Sequence, residues 1–313
     1  MGLTPGIALA VLTAALLHAG WNALIRGAGD KRLYTLLLHA CSAGLGGVGL
    51  LFTGLPAPAS WPYLALSAVI HSAYILLLIR AYEGGQLATS YTLMRELPAF
   101  VGPDEQQDVG GQLATSYTLM RGLPPLIVGV LSGPVLGEAL GPEGAAGVAL
   151  ISCGVIGIGF ASGLTLARIA THPSTHAAVL NAVAISAYTL VDGQGARLAG
   201  NPLAYVFCLS LLEPIGVLLA GLRSDAGALR RYFLGQWLLG LVGAAAAMLA
   251  YATVLWAMTR APIAMVAALR ESSVIFAVLI GALWFKEGRL RSGLAAGSIV
   301  MAGVLLLRHS QTG

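Results

Sequence analysis

Long apolar stretches alternate with short turn-rich ones from one end of this chain to the other. Ten runs approach or exceed the roughly 20 apolar residues that a helix needs to cross a bilayer. They are Leu3–Ile25, Leu33–Thr53, Trp61–Tyr82, Gln112–Leu136, Glu143–Leu164, His176–Val191, Leu203–Gly221, Phe233–Met258, Pro262–Phe285 and Leu290–Leu307. Segments such as Gly27–Asp30, Gly54–Pro58, Thr171–Ser174 and Gly200–Pro202 punctuate them. The pattern predicts an all-α, polytopic membrane protein with ten transmembrane helices. No basic stretch precedes the first run, so it is read as a retained span and not a signal peptide.

Composition sharpens this. The chain is 57% hydrophobic and 10% charged, against about 25% charged in a soluble domain. Its 41 glycines suit helices that approach closely in lipid. The net charge of +4 is spread without a basic block, which argues against nucleic acid. Cys41, Cys153 and Cys208 form no Cys-x-x-Cys pair and read as small apolar residues. Gly154, Gly157, Gly159 and Gly163 cluster without a preceding strand, so a helix-packing face is favoured over a dinucleotide site. Protease, hydrolase and phosphate-loop motifs are absent from the sequence. No enzyme activity, cofactor or metal is expected.

One sequence unit is used twice. Arg121 and Arg270 lie 149 positions apart, each followed seventeen residues later by a glutamate, Glu138 and Glu287. At the same offset Gly144 matches Gly293, Ala146 matches Ala295, and Gly154-Val155 matches Gly303-Val304. Residues 1–165 and 175–309 thus form two five-helix repeats. Five is odd, so the second repeat enters from the opposite face. Inverted repeats are a common construction of secondary transporters, with a site near the midplane.

A shorter duplication interrupts the first repeat. Gly84–Arg95 recurs verbatim as Gly110–Arg121, 26 residues later. The extra segment lies near 85–110, and Leu87–Val101 is too short and polar to cross. With ten spans, one side collects Arg26, Lys31, Arg32, Arg80, Arg168, Arg223, Arg230, Arg231, Lys286, Arg289 and Arg291. The other has only Arg197, Arg260 and Arg308. The positive-inside rule then places both termini outside the cytoplasm.

Charges inside spans are costly and mark functional candidates. Arg121, Arg270 and Glu271 are the first set. Adjacent helical residues diverge by about 100°, so Glu271 is expected to face away from Arg270, with Glu213 as a more plausible partner. Pro124-Pro125 is expected to kink the helix beside Arg121. Glu213, near the centre of its run, is the candidate for carrying a coupled proton; a structural ion pair is the plain alternative. Polar-tipped aromatic and polar residues recur at helical spacing: His18 with Trp21 and Asn22, His71 with Tyr74, and Tyr188 with Asp192, joined by Tyr117, Tyr251 and Trp256. Singly each suits core packing or an interface belt; as a set they suit a cavity wall.

Four stretches give the chain a familiar order: Leu17–Leu24, Tyr188–Gly193, the Gly137-Glu138 step with Lys286-Glu287, and Ala261–Ser272. Together they resemble the EamA-type branch of the drug/metabolite transporter superfamily, over nearly the whole chain except the insert. That resemblance implies a helical basket with a central cavity that moves small organic metabolites or drugs. Thr118 departs from it, since a proline is common before the arginine. The expected function is secondary transport by alternating access, amino-acid-like substrates included, with proton coupling a weaker expectation. The alternatives are a non-transporting or duplication-disabled membrane protein, and a channel. The expected partners are a small-molecule substrate and the lipid bilayer, with a homodimer left open. The expected location is a bacterial inner membrane.

Overall fold

The computed structural model describes residues 2–27, 30–83, 103–161, 173–221, 226–283 and 290–309. The first copy of the duplicated stretch, Arg95 included, lies outside the described residues. Among the described residues twelve α-helices follow one another: α1 Pro5–Gly27, α2 Lys31–Thr53, α3 Trp61–Glu83, α4 Pro103–Leu136, α5 Pro142–Ala161 and α6 Pro173–Leu198. Then come α7 Pro202–Leu212, α8 Pro214–Gly221, α9 Ala226–Met258, α10 Ile263–Arg270, α11 Ser273–Leu283 and α12 Leu290–His309. Among the described residues there is no strand.

These helices fill the ten apolar runs because two runs are split. Leu203–Gly221 holds α7 and α8, divided at Glu213 before Pro214, and Pro262–Phe285 holds α10 and α11, divided at Glu271-Ser272. Pro5–Leu24, Leu33–Thr53 and Gly227–Met258 are long and apolar enough to cross a membrane, and several shorter apolar helices accompany them.

The distribution of polarity is compatible with a membrane protein. Phe52, Leu51 and Val130 are 85%, 83% and 74% exposed, whereas Arg121 and Arg270 are 6% exposed and Glu271 and Asp192 are fully buried. In water so much outward apolar surface would drive association; in a bilayer the cost falls instead on the inward charges.

Small residues set which helices meet. Gly147 of α5 packs on Leu307 of α12, and Gly303 of α12 packs on Ile151 and the Gly147 carbonyl. A Cβ on Gly303 would lie 2.9 Å from that carbonyl oxygen. Position rises along α5 as it falls along α12, so the two helices are antiparallel. Gly46 and Gly49 of α2 face Ser210 and Phe207 of α7 in the same antiparallel sense. Helix α4 runs antiparallel to α10–α11, with Arg121 beside Ser273 and Glu138 beside Ile263.

At one end of the bundle the connections lock together. Ala57 N–H donates to the Ala199 carbonyl at 3.0 Å. Gly54, Gly137 and Gly200, at φ near +70°, end α2, α4 and α6 there. The left-handed conformation favours glycine at such helix ends.

Candidate functional site

Helix α10 is the centre of the molecule. All eight of its residues are buried, and its termini carry complementary charge. Glu138 Oε2 accepts the Ile263 N–H at 3.0 Å, so a carboxylate sits on the positive end of the helix. Arg270 occupies the last turn, where a cation is favoured. Gly193 admits the helix: a Cβ there would meet Ile263 at 2.6 Å.

The helix stops where two serines offer alternative bonds. Ser272 Oγ donates to the Leu269 carbonyl at 2.7 Å. The backbone tightens, with Glu271 N–H bonding the Ala268 carbonyl and Ser272 N–H the Leu269 carbonyl. Serine hydroxyls compete with the helical ladder in this way, and i→i−3 bonds mark a tight 3₁₀ turn.

That turn presents the Glu271 carboxylate to both arginines. Arg121 Nε lies 3.0 Å from Oε2 and Arg270 Nε lies 3.2 Å from Oε1. Arg121 also donates to Ser273 Oγ at 2.8 Å. The expectation that Glu271 faces away from Arg270 is therefore corrected, because it assumed an unbroken helix. Two guanidinium groups share one carboxylate, and Arg270 Nη2 makes no hydrogen bond among the described residues. His18 of α1 lies within electrostatic range of both cations.

A second polar group begins one step away. Tyr188 of α6 feels Arg270, Arg121, Glu271 and Asp192, and its ring lies 4.2 Å from the His71 ring of α3. Asp192, one turn further along α6, takes a hydrogen bond from Tyr205 Oη at 2.8 Å and another from Tyr251 Oη. The Ser67 hydroxyl lies near this carboxylate and stands 3.1 Å from His71 Nδ1. Gly195 makes the arrangement possible. A Cβ there would lie 2.5 Å from the Tyr205 ring, which crosses α6 at that point.

A third ion pair closes the end where the connections meet. Arg197 pairs with Glu138 Oε1 at 2.7 Å and donates to the carbonyls of Met258 and Ala261 at 2.8 and 3.1 Å. Three connections and the start of α10 are thereby tied together.

The remaining expected residues fall apart from this centre. Glu213 Oε1 lies 3.9 Å from His39 Nε2, and the Glu213 carbonyl accepts from Ser72. It is the cap between α7 and α8 and not the partner of the arginines; Glu271 fills that role. Trp21 stacks edge-on against His18 at 5.2 Å, and its Nε1 has no hydrogen bond among the described residues. Asn22 bonds the His18 carbonyl on its own helix. Tyr74 packs beside Leu36 and Phe233, in a separate apolar cluster. The Tyr117 side chain lies outside the described residues. Pro124 and Pro125 do not break α4, which is continuous through them.

Three contributors were not singled out in the sequence: Tyr205, Ser67 and Ser273. Tyrosines and serines are ordinary in membrane helices, and only folding brings these to a charge. The serine pair directly after Glu271 is the one signal that marks the break.

No family model matches the chain, and no curated protein matches it. Solved structures do. One crystal structure superposes with a TM-score of 0.63 at 19% identity, covering 96% of this chain and 98% of that one. A likeness at that identity establishes the shared fold over the full length of both chains.

Proposed function

We propose that this chain is a secondary transporter of small organic metabolites, built as two inverted five-helix repeats of the EamA kind. The observation that carries this reading is the Glu271 carboxylate held between Arg121 and Arg270 at a buried helix break. The two arginines occupy equivalent positions of the repeats and meet at one point. A charged cluster at a discontinuous helix between inverted halves is the usual construction of a transporter site. The antiparallel packing of α5 on α12, of α2 on α7, and of α4 on α10–α11 supports the inversion, since each pair joins equivalent spans. The one-to-one length match with a solved fold is compatible with it.

Among the described residues Arg270 Nη2 makes no hydrogen bond. A substrate carboxylate would supply an acceptor of opposite charge. Tyr188, His71 and His18 border the cluster and suit an organic body with a ring or an amine. Amino-acid-like zwitterions fit this description. The insert near 85–110 lies on the cytoplasmic side in this topology, and both termini lie outside.

The test uses purified full-length protein in proteoliposomes, with a panel of radiolabelled amino acids and aromatic monocarboxylates. Saturable uptake with counterflow is expected for at least one of them, with KM raised in Arg270→Gln. Unsaturable ion flux would replace the carrier with a channel. Absence of any flux in a folded, oriented preparation would overturn the reading.

A further inference from the structure

Asp192 is the one described carboxylate that is fully buried and has no arginine or lysine in salt-bridge contact among the described residues. A buried ionised carboxylate needs compensation, or it takes up a proton. Its surroundings are of an unusual kind. Tyr205 of α7 donates to one oxygen and Tyr251 of α9 to the other. Both contacts are neutral hydroxyls, which tolerate either protonation state of the carboxyl.

The charged and titratable groups around it are few. From α3 comes His71; from α6 itself, Tyr188 and Arg197. Arg197 is committed to Glu138 of α4 and to the Met258 and Ala261 carbonyls. From α4 and from α10 with its terminal turn, Arg121, Arg270 and Glu271 lie within electrostatic range of Tyr188. His71 Nδ1 lies 3.0 Å from the Ser67 carbonyl and 3.1 Å from the Ser67 hydroxyl.

We propose that Asp192, held by the Tyr205 and Tyr251 hydroxyls, is a proton-binding site that holds one exchangeable proton beside the arginine cluster. No bond other than an O–H forms or breaks. Tyr188 lies within electrostatic range of Asp192, Arg270 and Glu271, so loading the proton changes the field at the proposed substrate position. This role as the coupling site rests on the carrier reading; the proton site itself does not. It also places proton binding at Asp192 and not at Glu213, which lies 3.9 Å from His39.

The experiment is an infrared pH titration of the full-length protein in lipid, without substrate. In the wild type, a protonated-carboxyl C=O band is expected to grow as pH falls. One component of that band should be lost in Asp192→Asn and kept in Glu213→Gln. Tyr205→Phe and Tyr251→Phe each remove a donor to the carboxylate and should move the midpoint of that component to higher pH. A band unchanged in Asp192→Asn, or the same component lost in Glu213→Gln, overturns the site. If Asp192→Asn does not fold, an unmoved midpoint in both tyrosine variants overturns it equally. A band that behaves as expected in a protein with no transport would retire the carrier and leave the proton site standing.

Discussion

Glu271 carries the electrostatics of two residues. Its carboxylate lies within ion-pair distance of Arg121 and Arg270, and all three side chains are nearly inaccessible. Removing one partner of a buried ion pair costs about 3–5 kcal/mol, because the survivor is left uncompensated in low dielectric. Glu271→Gln removes the carboxylate that two cations approach, whereas Arg270→Gln removes one cation and keeps Arg121 beside Glu271. The glutamate substitution should therefore be the more destabilising of the two, in equilibrium unfolding in mixed micelles. If Arg270→Gln costs as much as Glu271→Gln, the shared-carboxylate account is wrong. Only part of this was legible in the sequence. The recurrence of Arg121 and Arg270 at a fixed offset was, because it is written in one dimension. The pairing was not, because the 100° separation of neighbours holds only while a helix continues. At Ser272 the hydroxyl takes the Leu269 carbonyl and the helix ends.

Helix α10 is held as an element by groups that it does not contain. Glu138 bonds its first N–H, and Arg197 ties that same glutamate to the carbonyls ending α9. The pair belongs to the end of the bundle where Ala57 bonds Ala199, so it acts as a latch over that end. Glu138→Gln should lower stability by about 0.5–2 kcal/mol, the usual worth of a helix N-terminal partner. It should also speed the reaction of a cysteine placed at Ala199 with a water-soluble maleimide. Ala199 is 3% exposed with the latch in place. Equal labelling with and without the Glu138 carboxylate would rule out a latch. The prolines teach the complementary lesson about elements. Pro124 and Pro125 argue for a break in α4, yet the helix is continuous through them. Membrane bundles accommodate helical proline because neighbouring groups re-satisfy the freed backbone. Here Gly122 is pressed against Ile156 of α5, with 2.5 Å to a notional Cβ, so α4 is held along its length. The break falls instead in the equivalent span of the other half, where the sequence has serines and no proline.

For the whole molecule, orientation and the insert are the open variables, and both have direct readouts. In a cysteine-free background, Ala59→Cys should label from outside the cell and Arg230→Cys only after permeabilisation, since both positions are exposed and charge counting puts them on opposite sides. The insert bears on symmetry. As it stands, 47 residues separate Tyr74 from Arg121, against 19 between Tyr251 and Arg270; without Gly85–Gly110 the first separation falls to 21. Helix α4, at 34 residues, is about 51 Å long at 1.5 Å per residue, longer than the roughly 30 Å of a bilayer's hydrocarbon core. Deleting Gly85–Gly110 removes its first eight residues and leaves about 39 Å, still enough to span. Every described member of the arginine cluster and of the Asp192 group lies outside the deleted stretch, and Arg121 keeps its register with Glu138. The deletion variant should therefore reach the membrane, unfold at no lower temperature, and transport at least as fast as the parent. Intact folding with transport lost would assign the duplicated segment a working part in the cycle, because the two clusters would be unchanged and only the connection between α3 and α4 would differ.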